Sequence, residues 1–372
     1  MGIGRFRSAV APLHLKLSTS SFEARGAPMS EQGERARAAE AGLVEKRHRP
    51  LRVVAITIGV IAAVLVVALV AVNVFVRTVY AAFYDDSRPV LPIPGVSQGF
   101  VPQDLDHLDQ GDQWLFSGYS SDGSPSPLYK SSLHGPTARL AVASPDGTLY
   151  DGHGSGVTSN SLYVFLTRED GYLVLSADDV ANAEDGDTVR AIGEVDLELS
   201  PAFLNIENGI LYAGNFYFPE KYETPGEHRI LTSDGDQNPA VMYAYPPSDE
   251  GRFGFAEHAA RTYSIPAMVQ GMCTTPSGQM VFSTSYGLRS SRLLFYDTAR
   301  LEQDGTFWAD GREVPLSIFD TRSLVGELEA PPMTEGIESH DGLIYISEES
   351  ASNKYFFGKL YGAGLVYALA PL

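Results

Sequence analysis

Residues 335–350 read Glu335-Gly336-Ile337-Glu338-Ser339-His340-Asp341-Gly342-Leu343-Ile344-Tyr345-Ile346-Ser347-Glu348-Glu349-Ser350, and after a loop comes Gly364-Leu365-Val366-Tyr367-Ala368-Leu369. A polar-Gly-apolar opening leads to an Asp-Gly turn, a short apolar strand, a polar cluster and a second apolar strand. Short apolar runs bounded by Gly, Asp and Ser are strand signals, and Asp-Gly is a tight-turn signal.

Diverged copies of this unit lie upstream. Five first strands centre on Trp114-Leu115-Phe116, Leu162-Tyr163-Val164, Leu211-Tyr212-Ala213, Met280-Val281-Phe282 and Ile344-Tyr345-Ile346. Their partners are Leu128-Tyr129, Tyr172-Leu173-Val174-Leu175, Val241-Met242-Tyr243, Leu293-Leu294-Phe295-Tyr296 and Leu365-Val366-Tyr367. Further strand candidates stand between units at 139–143, 189–195, 261–265 and 316–319. The first strands recur at intervals of roughly 47 to 70 residues, which suits four-stranded blades with variable loops. The fold expected is all-β: a β-propeller of five four-stranded blades, with room for a sixth near 217–240 or 297–330. A sandwich would not explain the repeated first strand. The last unit has only two strands, and residues 89–96 are the expected segment to complete it and close the ring.

The chain has 372 residues and a formal net charge of -19. Residues 1–52 hold 10 of the 27 Lys+Arg and 5 of the 46 Asp+Glu, so the rest carries 17 basic against 41 acidic residues. Binding to nucleic acid depends on basic side chains neutralising phosphate, and so acidic a domain excludes it. Cys273 is the single cysteine; no intramolecular disulfide is possible, and its apolar flanks predict a buried structural thiol.

Residues 53–76 form an apolar run whose polar side chains are Thr57 and Asn73 alone. At 1.5 Å per residue it crosses a hydrocarbon core of about 30 Å, and it exceeds a signal-peptide core of about 7–15 residues. Lys46, Arg47, Arg49 and Arg52 precede it and Arg77 follows, so the positive-inside rule keeps the N-terminus cytoplasmic. The expected organisation is a basic, disordered cytoplasmic tail (1–52), a transmembrane helix (53–76), a juxtamembrane linker carrying the ring-closing strand (77–97) and an extracytoplasmic propeller (98–372). The protein is thus expected in the cell membrane as a single-pass protein.

These openings and strands resemble the repeats of bacterial extracytoplasmic β-propeller proteins, the loose class that includes NHL-like, YVTN and gluconolactonase-type propellers, over roughly residues 97–372. The resemblance implies a fold and a location. In the gluconolactonase type it further implies an opening Glu holding a catalytic divalent ion in the central channel, a place Glu335 matches. The Asn and Asp ligands of that set have no assigned match, and Gln98 and Gln270 are neutral where a metal favours carboxylates.

If the first strands line the axis, the opening residues Gln98, His153, Gln270 and Glu335 ring one mouth of the channel, where a ligand site is expected. The alternative is that they satisfy backbone groups at tight strand starts, with the adjoining glycines serving geometry. Asn215, Ser283, Tyr286 and Glu348, just after the first strands, are further ligand candidates through hydrogen bonds and stacking, or else ordinary turn residues. Glu348 and Glu349 diverge if both lie in a strand. Ser155 lacks the glycines of a nucleophile elbow, residues 234–238 lead to Pro239 rather than the glycine of a calcium loop, and the eight histidines show no close-spaced zinc pattern. The expected function is binding of a cell-envelope or extracellular glycan, peptide or protein. A metal-dependent hydrolase or lactonase at the channel mouth is the alternative. No cofactor is evident beyond that divalent cation.

Overall fold

A computed structural model describes residues 31–133 and 135–371, with the backbone alone for 43–51. Helix α1 spans Glu31–Val79, so it takes in residues 31–52, which sequence assigns to a disordered tail; residues 1–30 of that tail lie outside the described residues. Ala, Glu and Arg dominate this stretch, and their high helix propensity carries the helix even without an apolar face. Within α1, Arg52–Val79 is apolar enough to cross a membrane, with a mean hydropathy of 3.1 over its most apolar window. Two compact units divide the chain, 1–66 and 67–372.

The second unit contains a five-bladed β-propeller. Blade 1 is built from Phe100–Leu108, Gln113–Ser120, Pro127–Ser131 and Thr137–Ala143, extended by Thr188–Arg190. Blade 2 uses Val157–Ser159, Tyr163–Arg168, Gly171–Ser176 and Gly193–Asp196. Blade 3 uses Phe203–Glu207, Ile210–Gly214, Ala240–Tyr245 and Arg261–Ile265. Blade 4 uses Val269–Thr274, Gln279–Thr284, Ser291–Asp297 and Leu324–Ala330. Blade 5 uses Thr334–His340, Leu343–Glu348 and Leu365–Leu369, and its outermost strand is Ser87–Pro92.

Ring closure therefore comes from the chain leaving α1. Ser87–Pro92 runs antiparallel to Leu365–Leu369, with Ser87 opposite Leu369 and Pro92 opposite Leu365. The strand lies slightly earlier than the 89–96 expected from sequence. Pro89 and Pro92 are tolerated because an outermost strand has a free edge, where a missing N–H costs no ladder bond. There is no sixth blade among the described residues: 217–240 holds one two-residue hairpin, and Gly305–Ala309 with Arg312–Ile318 extends the edge of blade 3.

One expectation is corrected. The apolar strands around Trp114, Tyr163, Tyr212, Val281 and Tyr345 are second strands, one step out from the axis. The innermost strands are the short segments before them, which meet one another around the axis. Their polar content had disguised them. The second strands are apolar on both faces because each blade is covered on both sides by its neighbours. Alternation divides their side chains between two interfaces: Leu115 packs against blade 2, while Trp114 and Phe116 pack against blade 5. Five buried clusters result, one per junction, and the junction of blades 4 and 5 also takes in Val76, Tyr80 and Phe83. Cys273 is fully buried in that junction, where burial pushes its thiol well up.

Candidate functional site

Innermost strands expose one edge to the axis, and its backbone groups need partners. Here acidic and hydroxyl side chains supply them. The Asp104 carboxylate accepts from Val157 N and Leu105 N, both at 2.9 Å. Ser159 Oγ donates to Asp106 at 2.5 Å, Ile206 N to Thr158 Oγ1 at 3.0 Å, and Thr274 N to Glu207 at 2.5 Å. Asn205 Nδ2 reaches Met272 O at 2.6 Å and, from blade 3 to blade 5, Glu338 Oε2 at 3.0 Å. Burial raises the pKa of every one of these acids: Asp106 to about 6, Glu207 upward, and Asp104 and Glu338 well above the carboxylate range. Asn205 is 3 % exposed and its Oδ1 has no partner among the described residues.

The innermost strands all start on one face, and there the candidate site lies. Glu335 is buried, and Ser283 Oγ donates to its backbone carbonyl. Gln270 Nε2 donates to Glu335 Oε1 at 3.3 Å. The Glu335 and Glu349 carboxyls lie close enough to act on each other electrostatically. Burial, then the Glu349 charge, raises the Glu335 carboxyl well above its ordinary value, and burial raises Glu349 as well. Tyr355 donates to Glu349 Oε1 at 2.6 Å and Tyr119 at 3.4 Å. Lys354 Nζ lies 4.7 Å from the centre of the Tyr119 ring, and the exposed His153 stacks on that ring at 4.4 Å. Across the mouth, Phe218 stacks on Tyr286 at 3.7 Å, with Lys221 donating to the Tyr286 hydroxyl at 2.8 Å.

The glycines beside the opening residues have a separate task. A Cβ on Gly336 would stand 2.3 Å from Asp104 Oδ1, and one on Gly154 would stand 2.7 Å from Gly118 backbone. They let adjoining strands approach closely, and bulges at 102–104, 269–271 and 334–337 bend the strands there.

Of the residues singled out from sequence, Glu335, Gln270 and Ser283 meet, and His153 lies on the rim. Gln98 is exposed and accepts from Tyr129 at 3.3 Å, while Tyr286 belongs to the opposite side of the mouth. Asn215 is buried, bonded to His228 at 2.9 Å and accepting from Val241 N at 2.9 Å, so it pins the long loop of blade 3. Glu348 faces away from the axis: Arg77, Tyr84, Tyr361 and Tyr367 surround it electrostatically. Sequence reading missed Asp104, Asp106, Asn205, Glu207 and Glu338, whose only signal was a carboxylate or amide inside a short polar strand preceding each apolar one.

Two other places hold ligand-type groups. Where the innermost strands end, His107 stacks on His340 at 3.6 Å and bonds Asp112 at 2.9 Å, with ligand atoms of all three within 4.8 Å. Toward that same face a groove of about 410 Å³ is lined by Tyr212, Arg261, Tyr263 and Thr274; it shares no residue with the mouth. The implied metal ligand Glu335 fits poorly, since its carboxyl is taken up by Gln270 and Glu349. Further along the channel, Asn205 Oδ1 is an oxygen without a partner among the described residues, while both Asp104 oxygens accept backbone N–H groups.

No protein-family model matches the chain, and no curated protein does either. Among solved structures it is similar to Myxococcus xanthus glutaminyl cyclase, at 12% identity and TM-score 0.40, covering 76% of this chain and 95% of that one. It is similar to the PQQ-bound aldose sugar dehydrogenase of Streptomyces coelicolor at 15% identity and TM-score 0.37, covering 70% and 76%. AztD from Citrobacter koseri matches at 12% identity and TM-score 0.29, covering 66% of each chain. No activity passes from these proteins to this chain.

Proposed function

We propose that this chain is a membrane-anchored, extracytoplasmic binding propeller whose mouth takes a cell-envelope glycan. The observation that carries the reading is the convergence of Glu335, Glu349, Gln270, Tyr119 and Tyr355 on one mouth. A pair of neighbouring carboxyls, an amide and two phenols offer both donors and acceptors, as a polyhydroxyl ligand requires. Tyr119, Phe218 and Tyr286 offer aromatic faces for sugar C–H groups. A peptide or protein is a weaker fit, because among the described residues the mouth offers neither an apolar groove nor an outer strand edge. The basic residues before the span and the single Arg77 after it support an outward-facing propeller. Screening the full chain, in lipid nanodiscs, against envelope glycans is expected to yield a glycan that binds. A panel bound no better by the chain than by empty discs would sink the reading.

A second reading has its own support. The unpartnered Asn205 Oδ1 beside Glu338, with Asp104 nearby, favours a divalent cation in the channel, the starting point for a metal-dependent hydrolase or lactonase. Oxygen-rich, acidic surroundings suit calcium. A cation that binds the folded state stabilises it by mass action, so calcium should raise the unfolding temperature and a chelator lower it. Identical melting with either leaves this reading without support.

A further inference from the structure

Residues 67–79 of α1 belong to the same compact unit as the propeller and enter it from one face. Asn73 Nδ2 donates to Leu360 O at 3.3 Å, in the 349–364 loop on the mouth face. Further along, the Tyr80 hydroxyl bonds Ser290 Oγ at 3.0 Å, in a mouth-face loop of blade 4. Val76, Tyr80 and Phe83 then sink between blades 4 and 5. Helix α2, Ala81–Asp86, follows, and Ser87 pairs with Leu369, at the opposite end of blade 5. The chain therefore descends from above the mouth to the far face and returns as the closing strand. Going back from Asn73, Leu69 and Val70 rise past the loops, 42% and 55% exposed.

Length agrees with this path. A span of 28 residues rises about 42 Å, roughly 12 Å more than a hydrocarbon core needs. That surplus corresponds to about eight residues, the last two turns of α1, which are the ones packed on the propeller. The hydrocarbon boundary then falls near Leu69–Asn73, level with Leu360.

The loops at that level carry membrane-type groups. Phe356 is 76% exposed and Leu288 69% exposed, each in a loop that α1 touches. Arg289, Lys354 and Lys359 stand beside them, and three of the four lysines after the span (Lys221, Lys354, Lys359) belong to mouth-face loops of an otherwise acidic domain. Apolar tips with cationic neighbours suit acyl chains beneath phosphate headgroups.

We propose that the mouth face lies against the phospholipid leaflet, with Leu288 and Phe356 inserted and Arg289, Lys354 and Lys359 among the headgroups. This rests on α1 spanning the membrane. It puts the mouth within reach of the headgroup of a membrane-borne molecule, and it holds whichever ligand the mouth takes.

Cys273 is fully buried, so a nitroxide label on the full chain goes only to an introduced cysteine. Leu288→Cys, Phe356→Cys and Trp308→Cys supply two sites on the mouth face and one on the outer hairpin of blade 3. Each position is exposed, so none disturbs packing. In nanodiscs of phosphatidylcholine and phosphatidylglycerol, labels at 288 and 356 should be more accessible to oxygen than to a water-soluble nickel chelate. The label at 308 should show the reverse. A water-like label at either 288 or 356 overturns the proposal. Because no glycan enters the experiment, its failure leaves the reading of the mouth untouched, and a failed glycan screen leaves this one untouched.

Discussion

Glu348 ends the second strand of blade 5, its neighbour Glu349 opens the short helical turn that follows, and the two side chains diverge. Glu349 turns to the mouth. Glu348 is 1% exposed, its Oε1 without a partner among the described residues, and burial pushes its pKa up to about 8 despite the opposing Arg77 charge. Its folded pKa is above its unfolded value, so its contribution is complete below the ordinary carboxylate range and is lost as pH rises through about 8. Over that window the chain should lose at most about 1.4 kcal/mol per pH unit from this group. Glu348→Gln should flatten the dependence between pH 5 and 8 in denaturant titrations; an unchanged slope contradicts the assignment. Glu335 was legible as a mouth residue because its Glu-Gly opening recurs in kind. Its partner Glu349 was not, because their pairing depends on a loop that sequence does not place.

At the scale of elements, the apolar second strands were legible and the innermost strands were not. A strand buried on both faces reads as a continuous apolar run, as around Ile344-Tyr345-Ile346. An innermost strand such as Phe203–Glu207 must also partner its neighbours' backbone, so it carries Asn205 and Glu207 and reads as a polar lead-in. The closing strand was legible because the last repeat lacked one and a proline-rich segment stood free. Leu91 is 3% exposed in that strand and packs with Phe100, Trp114 and Val366. Leu91→Ala should cost about 2–5 kcal/mol, read from chemical unfolding of the full chain. A loss below about 0.5 kcal/mol, as expected for a surface position, would show that Ser87–Pro92 does not close the ring.

For the whole molecule, five junctions between five blades account for the buried core, and the acidic side chains are its counterpart on the axis. The His107–His340 contact shows what sequence could not yield. Neither histidine has a second histidine at metal-ligand spacing along the chain, and only ring closure, which sets blade 5 beside blade 1, brings them together. The same closure gathers Glu335, Glu349 and Tyr119 at one mouth. The account stands on that mouth being where ligand binds. The most direct measurement is the affinity, by calorimetry in nanodiscs, of a glycan identified by screening, for the parent chain, for His153→Ala with Lys354→Ala, and for Arg261→Ala in the far-face groove. His153 and Lys354 are exposed, so the fold should tolerate their loss. Removing the cation over Tyr119 and the ring stacked on it should weaken binding at least about tenfold, or about 1.4 kcal/mol, with Arg261→Ala unchanged. Full affinity in the mouth variant, or a loss confined to Arg261→Ala, would contradict the account.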